Sequence, residues 1–286
     1  NCIFTDINVN GAVPKGSCVI AQGEGEIDIK GCTFNNVQSL NQGGAIYATA
    51  SSSNINNCKF FKCCIISERP TTDATTRNGG AIYLDAQNAK SEEVLTDNYF
   101  EECTVTGSGG AVFALCRDIE DEKSIDRNAN NEYGIRFMNC NFTHCNSKME
   151  GGAISSGIYE DVDEVYKFNN DIQVLRCYFT ECQSGKGGAM YSQDGTPEGD
   201  EETIIQSCTF INCFATNGEG YAISCRSYKL TIGSCTFRDQ DRNTDGLDHC
   251  IIYINMNEAN ISPNLYHCIF DNNSDVTALT VLVENA

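Results

Sequence analysis

The sequence predicts an all-β solenoid of stacked coils, and three observations carry that expectation. A phenylalanine returns along the whole chain, a Gly-Gly-Ala block follows most of its returns, and cysteines sit at fixed offsets from the same phenylalanine. Self-similarity at periods of a few tens of residues marks units that cannot bury an apolar face alone and must stack on their neighbours.

The recurring residues are Phe4, Phe34, Phe60, Phe100, Phe142, Phe179, Phe210, Phe237 and Phe270, at intervals of 26 to 42 residues. Most stand two positions after a cysteine. In an extended strand, alternation aims Cys and Phe to one face and the residue between them to the other. That middle residue is Lys59, Asn141, Tyr178, Thr209 or Thr236, so the cysteine and phenylalanine face inward. No apolar spacing of three and four is sustained long enough for a helix. Successive coils about 4.8 Å apart would pair their strands in parallel. Phe34, Phe60, Phe100, Phe142, Phe179, Phe210, Phe237 and Phe270 are then the rungs of an interior ladder, each contributing about 1.5–3 kcal/mol by burial.

The glycine block reads Gly43-Gly44-Ala45-Ile46, Gly79-Gly80-Ala81-Ile82, Gly109-Gly110-Ala111-Val112, Gly151-Gly152-Ala153-Ile154 and Gly187-Gly188-Ala189-Met190. It predicts a sharp backbone corner that only glycine turns without steric cost. Repeats running from Cys2 to Phe270 make residues 1–286 one domain.

Eighteen cysteines at repeated spacings point to an oxidising compartment. The fullest copies pair Cys58 with Cys63, Cys140 with Cys145, Cys177 with Cys182 and Cys208 with Cys213. These are disulfide candidates within a coil, provided the corner brings their Cβ atoms to about 4 Å. A buried thiol ladder is the alternative. Zinc ligation fits less well, because the pairs recur on successive coils and the chain has three histidines.

The Gly-Gly-Ala-Ile blocks, with Phe270-x-x-Asn273, resemble the repeats of the chlamydial polymorphic outer-membrane proteins and similar protist surface proteins. Elsewhere Cys63, Cys103, Cys145, Cys182 and Cys213 take the Asn position of that repeat. The resemblance implies a right-handed, single-stranded parallel β-helix of the pectin-lyase-like kind, here of about nine coils, used at cell surfaces for structure and adhesion.

Three sequons, Asn141-Phe-Thr143, Asn260-Ile-Ser262 and Asn272-Asn-Ser274, predict N-linked glycans and a secreted location. Asn141 is the clearest, since alternation aims it outward. The chain has no apolar run of about eighteen residues, so no direct membrane insertion is expected. It starts inside a repeat at Asn1 and closes on the apolar stretch Thr277 to Val283, as a mature segment or part of a longer chain would. Uncapped coils of this kind are expected to associate end to end, with flanking repeats or with another copy.

The net charge of −20 has the wrong sign for nucleic acid. Its acidic runs at 118–122, 160–164 and 198–202 fall in equivalent connections and predict one acidic side. Such a face keeps a rod soluble, or takes calcium or a cationic partner; no EF-hand spacing occurs, and no cofactor is expected.

A carbohydrate-active enzyme, a polygalacturonase-like hydrolase or a polysaccharide lyase, is the main rival reading. Asn243-Thr244-Asp245-Gly246-Leu247-Asp248 is similar to a polygalacturonase segment that supplies a catalytic carboxylate. The Asp-Asp pair, Gly-His-Gly and Arg-x-Lys that accompany it there do not follow Asp248, and glycoside hydrolysis needs paired carboxylates. The hexapeptide reads as a polar loop, and no catalytic residue is expected. The expectation is therefore an extracellular structural or adhesive protein, a fibre subunit or a module that meets glycans or cell-surface proteins.

Overall fold

The computed structural model describes residues 1–8, 15–65, 77–86, 93–118, 134–157, 167–168, 172–193, 202–226, 229–240, 250–256, 263–273 and 277–283. These residues are all-β, with no helix among them, and form long parallel sheets of 14 and 16 strands consistent with a parallel β-helix or solenoid. Among the described residues the one antiparallel pairing sets Arg117 and Asp118 against Phe168 and Lys167.

In the first sheet the Phe-bearing strands lie side by side. Thr33–Ser39 pairs with Ile3–Asn8 and Lys59–Phe61, and the file continues through Tyr99–Glu101, Asn141–Thr143, Tyr178–Thr180, Thr209–Ile211, Thr236–Arg238 and Ile269–Asp271. Phenylalanine meets phenylalanine at every step of that register. Phe34, Phe60, Phe100, Phe142, Phe179, Phe210 and Phe237 are fully buried, while Phe270 is 38 % exposed. The rings from Phe4 to Phe270 stack at 4.7–5.0 Å between centroids with planes 3–13° apart. That spacing is the strand spacing itself, so ladder pairing sets the aromatic contact directly.

In the second sheet the strands after the glycine block stack in the same manner, Ile46 on Ile82, Val112, Ile154, Met190, Ile223 and Ile252. All are buried. A parallel file beside them carries Ile55, Leu95, Phe137, Val174, Ile205 and Ile232 into the same core. Tyr47, Tyr83 and Phe113 stack at 5.2 and 5.4 Å as a separate buried cluster on the opposite side of those strands.

Glycine is required at the corner for two distinct reasons. Gly43 has φ +63°, and its counterparts Gly79, Gly109, Gly151 and Gly187 have φ between 60° and 71°. Gly44 and Gly80 instead face the next coil: a Cβ on Gly80 would overlap the carbonyl oxygen of Gly110. The other two corners use non-glycine residues in the left-handed region. Asn57, Asp97, Asn139, Arg176, Ser207 and Ser234 turn the chain before the first cysteine, or before Asn98 in its place, and Lys62, Glu102, His144, Glu181 and Asn212 before the second, with φ between 50° and 57°. Each non-glycine residue there costs on the order of 1 kcal/mol or more. Polar links along the file offset part of that strain: Asn139 Nδ2 donates to Asp97 Oδ1 at 3.1 Å, and Arg176 Nε donates to Asn139 Oδ1 at 2.8 Å.

Candidate functional site

Most of the cysteines occupy two of the corners and form columns along the stack, while Cys64, Cys225 and Cys250 lie in strands. Every cysteine whose side chain is described is a free thiol, the disulfide candidates Cys58, Cys63, Cys140, Cys145, Cys177, Cys182, Cys208 and Cys213 among them. Their Sγ–H groups face carbonyls two residues back on the same coil, as Cys177 faces Leu175 O at 3.4 Å, and most also face a carbonyl one coil back. Cys63, Cys103, Cys145, Cys182 and Cys213 each donate Sγ–H to the carbonyl of the ladder phenylalanine one coil back, at 3.6–3.8 Å. The first members of the pairs belong to a different column: Cys208 donates to Val174 O at 3.3 Å and accepts the Cys177 backbone N–H at 3.4 Å.

Where a column lacks cysteine, an amide takes over both bonds. Gln240 Nε2 donates to Phe210 O at 3.2 Å while its Oε1 accepts the Cys213 N–H at 3.1 Å. Asn273 repeats the pattern on Phe237 O and the Gln240 N–H, at 2.9 and 2.8 Å. The thiols are thus corner pins, placed as Asn273 is in Phe270-x-x-Asn273. Burial pushes the Cys145 and Cys213 thiols well above the usual range, which keeps the S–H donor in place.

The outward side of the Phe-bearing sheet presents two files of side chains. One runs Ile3, Thr33, Lys59, Tyr99, Asn141, Tyr178, Thr209, Thr236, Ile269; the other runs Thr5, Asn35, Phe61, Glu101, Thr143, Thr180, Ile211, Arg238, Asp271. Asn141 is exposed and stands between Tyr99 and Tyr178 on the adjacent coils, with Tyr178 54 % exposed. Asn272 is also exposed, but it is a left-handed corner residue whose Nδ2 donates to Asp239 Oδ1. Asn260 and Ser274 lie outside the described residues.

Near one end of this face a groove of about 410 Å³ crosses four coils. It is lined by Ile3, Thr5, Thr33, Asn35, Phe61 and Lys62, with Glu101 and Glu102 closing it. The Phe61 ring lies 5.7 Å from that of Tyr99, tilted by 52°. Lys62 Nζ is 3.7 Å from Glu102 Oε2 at the groove edge.

The remaining titratable groups are scattered. His144 Nε2 and Glu181 Oε2 are 2.8 Å apart at neighbouring exposed corners. Glu93 is 1 % exposed with Oε2 lacking a hydrogen-bond partner, and burial pushes its carboxyl up to about 7, with Asp85 adding to the rise. Among the described residues no three His, Cys, Asp or Glu side chains converge in a way that could hold a metal. The acidic runs, apart from Asp118 and Glu202, and the whole of 243–248 including Asp245 and Asp248, lie outside the described residues. Sequence reasoning missed the thiol–amide equivalence, Glu93 and the groove. The first was signalled by Asn98 and Gln240 standing at cysteine positions.

In comparisons with known proteins, no family model, no curated protein and no solved structure matches the chain.

Proposed function

We propose that the chain is an extracellular structural or adhesive surface protein, built over residues 1–286 as one right-handed parallel β-helix of about nine coils. Acidic insertions line one side of this rod, and N-linked glycans coat its outside, Asn141 foremost. The observation that supports the reading is the aromatic column from Phe4 to Phe270, in which one side-chain type is repeated at coil spacing. Such a column favours extent in one direction, and coils added end to end, from flanking repeats or another copy, prolong the same ladder. The exposed outer files with Tyr99, Tyr178 and Phe61 favour an adhesive role over a purely mechanical one, because aromatic surface residues are typical of recognition faces.

The test is secretion from a eukaryotic host followed by intact-mass measurement before and after enzymatic deglycosylation. The expected result is secreted protein whose mass drops on deglycosylation, with one glycan fewer for Asn141→Gln. Retention in the cytosol, or an unchanged mass, sinks the glycosylated surface-protein reading.

A further inference from the structure

The geometry points to the groove at Phe61 as a binding site for a short neutral oligosaccharide, a proposal that rests on the adhesive reading and names its ligand class. The groove floor is the face of a sheet whose strands Thr33–Ser39, Lys59–Phe61 and Tyr99–Glu101 are paired on both sides, with Ile3–Asn8 paired on one, so an added peptide strand could extend the ladder only beyond Ile3–Asn8 and finds none within the groove. Recognition must come from side chains alone.

Those side chains have the chemistry that sugars need. Phe61 is half-buried and edge-supported by Tyr99, offering a fixed aromatic surface to the C–H face of a pyranose. Thr5, Thr33 and Asn35 supply hydroxyl and amide groups that both donate and accept, and Glu101 is an acceptor for paired sugar hydroxyls. A pyranose unit is about as long as one coil step, so an oligosaccharide lying along the stack meets equivalent positions on successive coils.

Size and charge narrow the occupant. A groove of about 410 Å³ falls in the range of about 300–1,000 Å³ typical of small-ligand sites. Lys59 and Lys62 balance Glu101 and Glu102 in and beside it, and Lys62 is already paired with Glu102. No unpaired cationic cluster is left for a carboxylate or sulfate, and the chain's net charge of −20 repels polyanions. Neutral chains are favoured over uronic acids.

The experiment is isothermal titration of the full chain with cellotetraose, chitotetraose and mannotetraose, with tetragalacturonate as the anionic comparator. At least one neutral tetrasaccharide is expected to bind with a submillimolar Kd, and tetragalacturonate at least about tenfold more weakly. Phe61→Ala and Asn35→Ala should each weaken the neutral sugar about tenfold or more. Asn35→Ala leaves the aromatic packing intact and should keep the wild-type melting temperature. Absence of neutral-sugar binding, equal or tighter binding of tetragalacturonate, or full affinity in Asn35→Ala overturns the proposal. The rod reading is tested separately: a chain that melts cooperatively and loses stability on Phe142→Ala, yet binds no sugar, refutes the groove alone.

Discussion

Asn98 reaches one coil back to Cys58, where its Oδ1 accepts the backbone N–H at 2.8 Å. Its Nδ2 meanwhile donates to Ile55 O at 2.7 Å. On the following coil Cys140 occupies the same position and donates Sγ–H to Leu95 O at 3.3 Å. One corner file therefore mixes amides and thiols because both can donate to a carbonyl and accept from an N–H in the same small space. A disulfide would remove the donor and leave a buried carbonyl unpaired, at a cost of about 1–3 kcal/mol.

The first prediction concerns that equivalence. Cys103 donates to Phe60 O at 3.6 Å in the second corner file. Cys103→Asn should keep stability within about 1 kcal/mol, whereas Cys103→Val, which can neither donate nor accept, should lose about 1–3 kcal/mol. Urea titrations of the two variants make the comparison. Adding reductant should leave the wild-type melting temperature where it was, and a large drop would reveal bridges in place of pins.

The aromatic column supplies the second. Phe142 is fully buried between Phe100 at 4.8 Å and Phe179 at 5.0 Å. Phe142→Ala should cost about 3–5 kcal/mol. Phe270→Ala removes a ring that is 38 % exposed and stacks on Phe237, and its loss should be less than half as large. Equal costs for the two would contradict the packing described.

A third prediction separates two glycines. Gly80 has no room for a methyl group beside the Gly110 carbonyl, so Gly80→Ala should destabilise by about 3 kcal/mol or more. Gly25 has open space around it and no positive φ. Gly25→Ala should be neutral or slightly stabilising, by up to about 1 kcal/mol. Thermal melts of both variants check the contrast.

Glu93 gives a pH dependence with a definite sign. Its carboxyl rises from 4.5 to about 7 on folding, so the folded chain binds the proton more tightly than the unfolded one. This contribution to stability is complete below pH 4.5 and is lost as pH climbs through about 7, a change on the order of 3 kcal/mol. Glu93→Gln stays neutral throughout and should flatten that part of the profile. If the variant shows the wild-type slope between pH 4.5 and 7.5, the titrating group is elsewhere.

How much of this was legible in the chain differs from residue to residue. The phenylalanine file can be read because Cys-x-Phe alternation needs only strand geometry, and strand register then brings Phe60 against Phe100 without further information. The cysteine chemistry is opaque because Cys58-x4-Cys63 has the same spacing whether its sulfurs bond to each other or to carbonyls. Corners such as Lys62 and Arg176 escape notice since neither residue type favours a left-handed backbone; their conformation is imposed by the paired coils on both sides. The groove could not be seen at all, as Thr33, Phe61 and Glu101 become neighbours only when segments 26 to 42 residues apart are stacked.

The uniform register has an evolutionary corollary. Phe60, Phe100 and Phe142 hold one position in successive coils, so excising residues 100–141 would set Phe142 against Phe60 with the adjoining strands still in step. Unequal exchange between gene copies can therefore lengthen or shorten the molecule by whole periods while its cross-section is preserved.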